Sequence, residues 1–412
     1  MVTASLGTPD VVPAAAGAVP GADQVQQAVE ELLATNDPKT TDRKTFLEAR
    51  FDAGLAWVHY PPGAGGLGLD AHLQRAADAA LHAAGAPRPD MGRNIIGLGM
   101  AAPTLATHGT SEQHRDFLRP LYAGEIWCQL FSEPGAGSDL AGLGTRAVRD
   151  GDEWVVNGQK VWTTLAHMAR WGLLVARTDP DVPKHRGLTY FICDMQAEGV
   201  EVRPLRQITG EAEFNEVYLT DVRLPDRLRL GDIGDGWRVS MTTLMHERVA
   251  VGAGSQPTRG SGAIANALRL YAKHGAGDLN RRDGLMRVWV EAEVLRLTQL
   301  RASEMRRRGT PGPEGSVSKL AWAELNQRIT NFCVNLMGPE GALFPSGYEM
   351  RRPEEVSLTA GDPRHLFLRT RANSIEGGTS EVLRNILAER VLGLPGDPRV
   401  DKDLPWRDVP RS

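Results

Sequence analysis

The chain has 412 residues, with 47 Lys and Arg against 51 Asp and Glu and a formal net charge of −4; the pI is near 6.2. That balance argues against a surface that tracks nucleic acid, while leaving room for a local basic pocket around one anionic ligand. The length exceeds what one hydrophobic core sustains, so two or three domains are expected.

Residues 1–22 are rich in Ala, Gly, Pro and Val and read as a flexible tail. No basic residue precedes Lys39, as a secretory or transit leader would require. From Val25 to Leu33 and from Arg43 to Trp57 apolar residues recur at helical spacing, with Asp42 placed to cap the second helix. Helical patterning continues to about Ala123, giving a helical domain over 23–124. Its longest apolar stretch, Ile95 to Ala106, holds Pro103 and is too short to span a bilayer, so no membrane segment is expected. The run Gly63 to Gly68 matches G-x-G-x-x-G, but prolines and a helix precede it where a dinucleotide site needs a strand, so it reads as a connecting loop.

The stretch Cys128 to Asp139, CQLFSEPGAGSD, starts as a strand and breaks at Glu133-Pro134 into a glycine-rich loop. Such a loop lets backbone amides approach a flat or anionic ligand, although a plain Gly/Pro turn explains it as well. Short Val-, Trp-, Tyr- and Thr-rich runs follow at Glu153–Gly158, Gly172–Arg177, Gly187–Cys193, Val200–Pro204 and Glu216–Leu224. They predict a β domain over 125–235, an antiparallel barrel or sandwich. From Asp235 the pattern is helical again: Val288, Ala292 and Leu295 share a stripe, and Arg306, Arg307 and Arg308 suit a helix C-terminus. A last helix starts after Gly377-Gly378-Thr379 and carries Leu383, Ile386, Leu387 and Val391 before Gly393 and Pro395 stop it. The fold class is therefore mainly α with an inserted β domain, the helical bundle covering 236–395 and an extended tail 396–412.

Several stretches can carry chemistry. Lys160 to Thr164, KVWTT, sets a tryptophan and two hydroxyls at a strand end, suited to a flat ring or equally to a β core. Gly338 to Gly341 and Ser374 to Thr379 are further glycine loops, the second opening a helix N-terminus where free amides hold polar ligands or are simply capped. His246-Glu247-Arg248 resembles the zinc string H-E-x-x-H, but Ala250 stands at the second ligand position. Glu247 shares a helix face with Leu244, Val251 and Gly254, so it is either a desolvated base or satisfied by a buried partner. Cys128, Cys193 and Cys333 are far apart without C-x-x-C spacing; they support neither a disulfide framework nor a metal site and fit a reducing cytoplasm.

Together these pieces resemble the acyl-CoA dehydrogenase family over about residues 23–395. EPGAGSD matches the family signature E-P-x-A-G-S-D, and QKVWTT and the GGTSEVLRNILAER ending follow in family order. The resemblance implies a helical domain, a middle β domain and a C-terminal four-helix bundle, with FAD extended between the last two. It implies dehydrogenation of an acyl-CoA thioester, electron transfer to an electron-transfer flavoprotein, and a homodimer or homotetramer. Gln129, Phe131, Ser132 and Ser138 then lie along the flavin and the thioester, Gln129 standing where relatives often carry an aromatic residue. Trp162, Thr163 and Thr164 cover the isoalloxazine; Asn335, Gly338, Pro339 and Glu340 meet the FAD of a neighbouring subunit; Thr379 and Glu381 lie near its adenosine half.

The resemblance has departures. No R-x-x-F-G string lies between Tyr271 and Arg287, so Arg281 or Arg282 takes the pyrophosphate, and GPEG lacks the usual double glycine. The family's terminal base position falls here on Gly377, with Glu376 one residue early, whereas Glu247 matches the alternative position on the first bundle helix. Glu247 is accordingly the first choice for the base and Glu376 the second, with Arg248 steadying the acyl or base region. Other readings on the same scaffold are a flavin oxidase or monooxygenase, and a non-catalytic partner subunit of a heteromeric dehydrogenase.

Overall fold

A computed structural model describes residues 20–252, 258–307, 314–344, 347, 349–356, 361–398 and 401–410, side chains at 248–252, 306–307 and 314–315 excepted. The predicted tail 1–22 lies outside the described residues up to position 19. The chain divides into two compact units, one ending at Arg88 and one starting at Pro89.

The first unit holds helices α1 (Ala22–Thr35), α2 (Arg43–Asp52) and α3 (Gln74–Ala83). Val25, Val29 and Leu32 form the buried stripe of α1 and pack with Phe46, Leu55, Val58, Leu73, Ala77 and Leu81. Asp42 caps α2, its carboxylate accepting the Thr45 N–H at 3.1 Å. The helix stops at Asp52 instead of running to Trp57, because Gly54 turns the chain at φ 72° where a Cβ would lie 2.8 Å from Gly66 O. The Gly63–Gly68 run is a loop after a helix, with no strand before it, and its glycines serve close backbone packing: a Cβ on Gly66 would lie 2.0 Å from Tyr60 O.

The second unit opens with short helices α4 (Ala102–His108), α5 (Ser111–Gln113) and α6 (Arg119–Ala123), interrupted by π turns at Gly97–Ala101 and His114–Leu118. Strands β1 (Trp127–Leu130), β2 (Arg146–Asp150), β3 (Glu153–Thr164), β4 (Trp171–Arg177), β5 (Leu188–Asp194), β6 (Val200–Pro204), β7 (Phe214–Pro225) and β8 (Arg229–Leu230) make one sheet. Its order is β6-β7-β3-β2-β4-β5-β8, with β1 paired to β4. The expected all-antiparallel pairing is corrected: β1 runs parallel to β4, opposite it from Trp127↔Trp171 to Leu130↔Leu174. Sequence reading missed β2, RAVRD, because only Ala147 of its side chains is buried and no apolar alternation marks it. Cys128, Leu130, Val156, Leu174, Phe191, Val217 and Leu219 form the core behind the sheet.

The helical bundle comprises α7 (Gly236–Gly252), α8 (Ala263–His274), α9 (Leu279–Arg307), α10 (Glu314–Leu336), α11 (Pro363–Arg369) and α12 (Ser380–Arg390). The predicted stripe of α9 holds, Val288 and Leu295 being buried with Ile264, Leu285, Leu325 and Ile329 and Ala292 packed beside them. Arg308 lies outside the described residues. Thr379 caps α12, its hydroxyl accepting the Val382 N–H at 3.1 Å. Val391, expected within this helix, is instead its exposed C-cap, the helix ending at Arg390.

The segment after residue 396, expected to be an extended tail, is docked where it is described. Trp406 donates from Nε1 to Gly142 O at 3.1 Å, and Lys184 donates to Asp401 at 2.6 Å. Among the described residues no helix is long and apolar enough to cross a membrane, and no cluster of His, Cys, Asp and Glu fits a metal ion.

Candidate active site and cofactor loop

The loop of EPGAGSD is closed at its neck by one carboxylate. Glu133 accepts the N–H groups of Gly144 at 2.7 Å and Thr145 at 2.9 Å, and the Lys160 ammonium at 2.8 Å. Lys160, wholly buried on β3, also donates to Phe131 O at 3.0 Å and Val175 O at 2.9 Å, so its three protons have three acceptors. Burial pushes the Glu133 carboxyl up, but the Lys160 ammonium and its hydrogen bonds outweigh that and hold it below its usual value. Beyond the neck, Glu133 and Ala136 exchange backbone hydrogen bonds at 3.0 Å, making a tight turn over Pro134-Gly135. A Cβ on Gly135 or Gly137 would meet nothing within 4 Å, and Ser138 is exposed, so the loop offers its backbone outward.

Trp162 stands at an irregularity in the β3–β7 pairing, between Lys160 and Thr163. Its φ of 61° is a backbone state that L side chains rarely adopt, and strain of this kind persists where surrounding structure enforces it. The consequence is that the indole is 57% exposed instead of entering the sheet core, edge-on to Phe214. Thr163 is buried, and its hydroxyl has no hydrogen-bond partner among the described residues. Thr164 is half-buried. A buried hydroxyl without a partner beside an outward indole fits a flat, polar-edged ring placed against β3. Phe131 is turned inward, edge-on to Tyr190 at 5.8 Å, while Ser132 contributes its backbone carbonyl to Val161 N–H at 2.9 Å.

The two candidate carboxylates have opposite surroundings. Glu247, on α7, accepts a hydrogen bond from Gln129 Nε2 of β1 at 3.2 Å. Its Oε1 lies over the Gly377 turn, 3.7 Å from where a Cβ on Gly377 would stand. That turn is pinned from below by Lys319 of α10, which donates to Asn373 O at 2.9 Å and Gly378 O at 2.6 Å. Burial pulls the Lys319 ammonium below its usual pKa, opposed by the charges of Glu376 and Glu247. Glu376 is held by both terminal nitrogens of Arg369 at 3.2 and 3.1 Å and by Asn373 Nδ2 at 2.7 Å. Arg369 Nε also lies 3.0 Å from Glu213, though not aligned for a hydrogen bond. Burial raises the Glu213 carboxyl, with Arg369 opposing.

Structure thus brings Gln129, Glu247, Lys319 and the Gly377-Gly378 turn together. The side chain of Arg248 lies outside the described residues, as does Gly254. Asn335, Gly338, Pro339 and Glu340 are exposed at the end of α10. Arg281 is engaged in the turn before α9, bonded to His274 O and 3.3 Å from Asp278; Arg282 is exposed. Thr379 serves as the α12 cap and Glu381 is exposed.

Sequence reading missed Lys319 and Arg369. A signal for the first existed: Lys319, Ala323, Asn326 and Thr330 follow i, i+4, i+7, i+11 and are all buried, one face on which a solvated lysine would not sit. Asn326 meets Asn373 and Thr330 meets Thr370 across that face.

The acyl-CoA dehydrogenase N-terminal, middle and C-terminal domain descriptions match residues 22–125, 128–222 and 234–392. Acyl-CoA dehydrogenase FadE34 of Mycobacterium tuberculosis is 40% identical over 378 residues, covering 90% of this chain and 48% of that protein. The chain therefore spans about half the length of that relative. Acyl-CoA dehydrogenase IpdE1 of the same organism is 38% identical over 360 residues, covering 87% of this chain and 89% of that one. Among solved structures, the ChsE4-ChsE5 complex from Mycobacterium tuberculosis aligns with a TM-score of 0.66 at 28% identity, covering 93% of this chain and 100% of that chain. With its helical, β and helical parts in the matching order, the chain belongs to the acyl-CoA dehydrogenase family, whose members are FAD-dependent oxidoreductases.

Proposed function

We propose that this chain catalyses α,β-dehydrogenation of an acyl-CoA thioester to the trans-2-enoyl thioester, with Glu247 as the base, and passes its electrons to an electron-transfer flavoprotein. The observation that carries this reading is the contrast between the carboxylates. Glu247 faces the side-chain-free turn at Gly377, whereas Glu376 is consumed by Arg369 and Asn373.

The residues divide the work. The loop from Glu133 to Thr145, closed by Lys160, presents backbone and Ser138 to ligand. Trp162 and Thr163 offer a flat apolar wall and an unpartnered hydroxyl, which fit the ring system of FAD. FAD, when bound, accepts the hydride that leaves the β-carbon. Glu247 takes the α-proton onto a carboxylate oxygen, and Gly377 leaves room for the thioester to approach that oxygen. Charge developing on the thioester oxygen needs donors fixed beforehand, and the backbone of the glycine turn, pinned by Lys319, lies on this side of the site. Asn335, Gly338, Pro339 and Glu340, all exposed, would meet a second subunit, in a homodimer, homotetramer or a heteromeric assembly. Cysteines that are buried and unbridged fit a reducing cytoplasm.

The test is anaerobic bleaching of the flavin by butyryl-, octanoyl-, isobutyryl- and cyclohexanecarboxyl-CoA. At least one is expected to bleach it, and Glu247→Gln to stop that while FAD stays bound. Bleaching that survives Glu247→Gln and disappears in Glu376→Gln would transfer the role to Glu376.

A further inference from the structure

Gln129 occupies the third position of β1, fixed by parallel pairing opposite Leu173 of β4. Its neighbours Cys128 and Leu130 are wholly buried, while Gln129 itself is half-buried and turned toward α7. There its amide Nε2 donates to Glu247 Oε2 at 3.2 Å, joining residues 118 positions apart. The other oxygen, Oε1, is the one over the Gly377 turn. One oxygen is therefore gripped from the strand while the other lies beside the glycine turn.

We propose that Gln129 is a positioning residue for proton abstraction: its amide holds Glu247 Oε2, sets the carboxylate so that Oε1 meets the α-carbon, and favours the charged form of the base. This rests on Glu247 being the base. An amide N–H bonds an ionised carboxylate more strongly than a neutral one, so the contact stabilises the state that abstracts a proton. Lys319 of α10 and Tyr190 of β5 are titratable groups that sense the Glu247 charge. Lys319 attracts the carboxylate but is itself committed to two backbone carbonyls, and it also faces Glu376. Tyr190 is uncharged, its hydroxyl 2.9 Å from Thr243. The amide is thus a neutral grip in addition to the Lys319 ammonium, and removing it leaves the base partly supported.

The experiment is the pH dependence of flavin bleaching in a stopped-flow instrument, with whichever of the four thioesters named above reacts fastest. Gln129→Met keeps the length of the side chain and deletes the donor; retained FAD absorbance and an unchanged melting temperature establish that it folds. The acidic limb of its profile is expected to move to higher pH, the rate on that limb falling about tenfold, with the rate at the alkaline plateau less affected. Gln129→Glu, which sets a like charge against Glu247, is expected to move the limb further, and it decides the question if Gln129→Met does not fold. Wild-type pH dependence in a folded, FAD-loaded variant overturns the role of Gln129. Glu247→Gln separates the two readings: if that variant still bleaches, the base assignment falls and this role with it. If it is inert while Gln129→Met keeps the wild-type profile, only the role of Gln129 falls.

Discussion

Arg369 meets Glu376 with two nitrogens, at 3.2 and 3.1 Å, and so turns a carboxylate beside the glycine turn into a structural anchor. The guanidinium is itself almost entirely buried, which makes its charge costly unless Glu376 and Glu213 stay opposite it. Glu376→Gln is therefore expected to lower stability by about 1–3 kcal/mol, measured by urea unfolding, while bleaching of the flavin persists. Glu247→Gln is expected to do the reverse, costing about 10²–10⁴-fold in bleaching rate with little loss of stability.

Lys160 is the bolt of the EPGAGSD loop. Lys160→Met leaves Glu133 buried without its cation and Phe131 O and Val175 O without a donor. The expected cost is about 3–5 kcal/mol, the usual penalty for breaking one side of a buried pair. Because Glu133 joins both ends of the loop, the variant is also expected to release FAD during gel filtration, which the absorbance ratio of flavin to protein reads directly.

Trp406 ties the chain end to the same loop. Its indole lies under the Arg177 guanidinium at 4.3 Å and donates to Gly142 O at 3.1 Å, and Arg177 in turn bonds Leu143 O at 3.1 Å. Trp406→Ala is expected to cost about 1–2 kcal/mol. Hydrogen exchange is expected to quicken at the backbone around 139–144 and not in the bundle; unchanged exchange there would show that the docked segment does not support the loop.

Asp226 supplies an acid-sensitive clasp in the β region. The Arg229 guanidinium beside it and the Trp154 N–H at 2.7 Å hold its carboxyl down to about 2, from 3.8. A depressed folded-state value means that the stabilisation is fully present above 3.8 and is lost as pH falls from 3.8 through about 2. Asp226→Asn is expected to be less stable than wild type at pH 7 and to lose less stability across that acid window, compared by urea midpoints at each pH.

Much of this was legible in one dimension. Asp42 as a cap, the buried stripe of α9, Thr379 at the start of α12 and the order of helical, β and helical parts all follow from local rules of spacing and hydrogen bonding. EPGAGSD and KVWTT could be read as motifs as well, because each is contiguous. The parallel placement of β1 beside β4 was not legible, since strand partners 44 residues apart, as Trp127 and Trp171 are, leave no local mark. Nor was β2, whose side chains are mostly exposed.

The choice of base shows the division most clearly. Sequence alone offered two carboxylates, Glu247 and Glu376, for one role and could only rank them by motif position. Tertiary structure separated their environments: Gln129 and the bare Gly377 turn come to Glu247, while Arg369 and Asn373 come to Glu376. The reason is physical. Which groups surround a carboxylate depends on residues brought to it from other elements, and those long-range contacts are made only when the chain has folded.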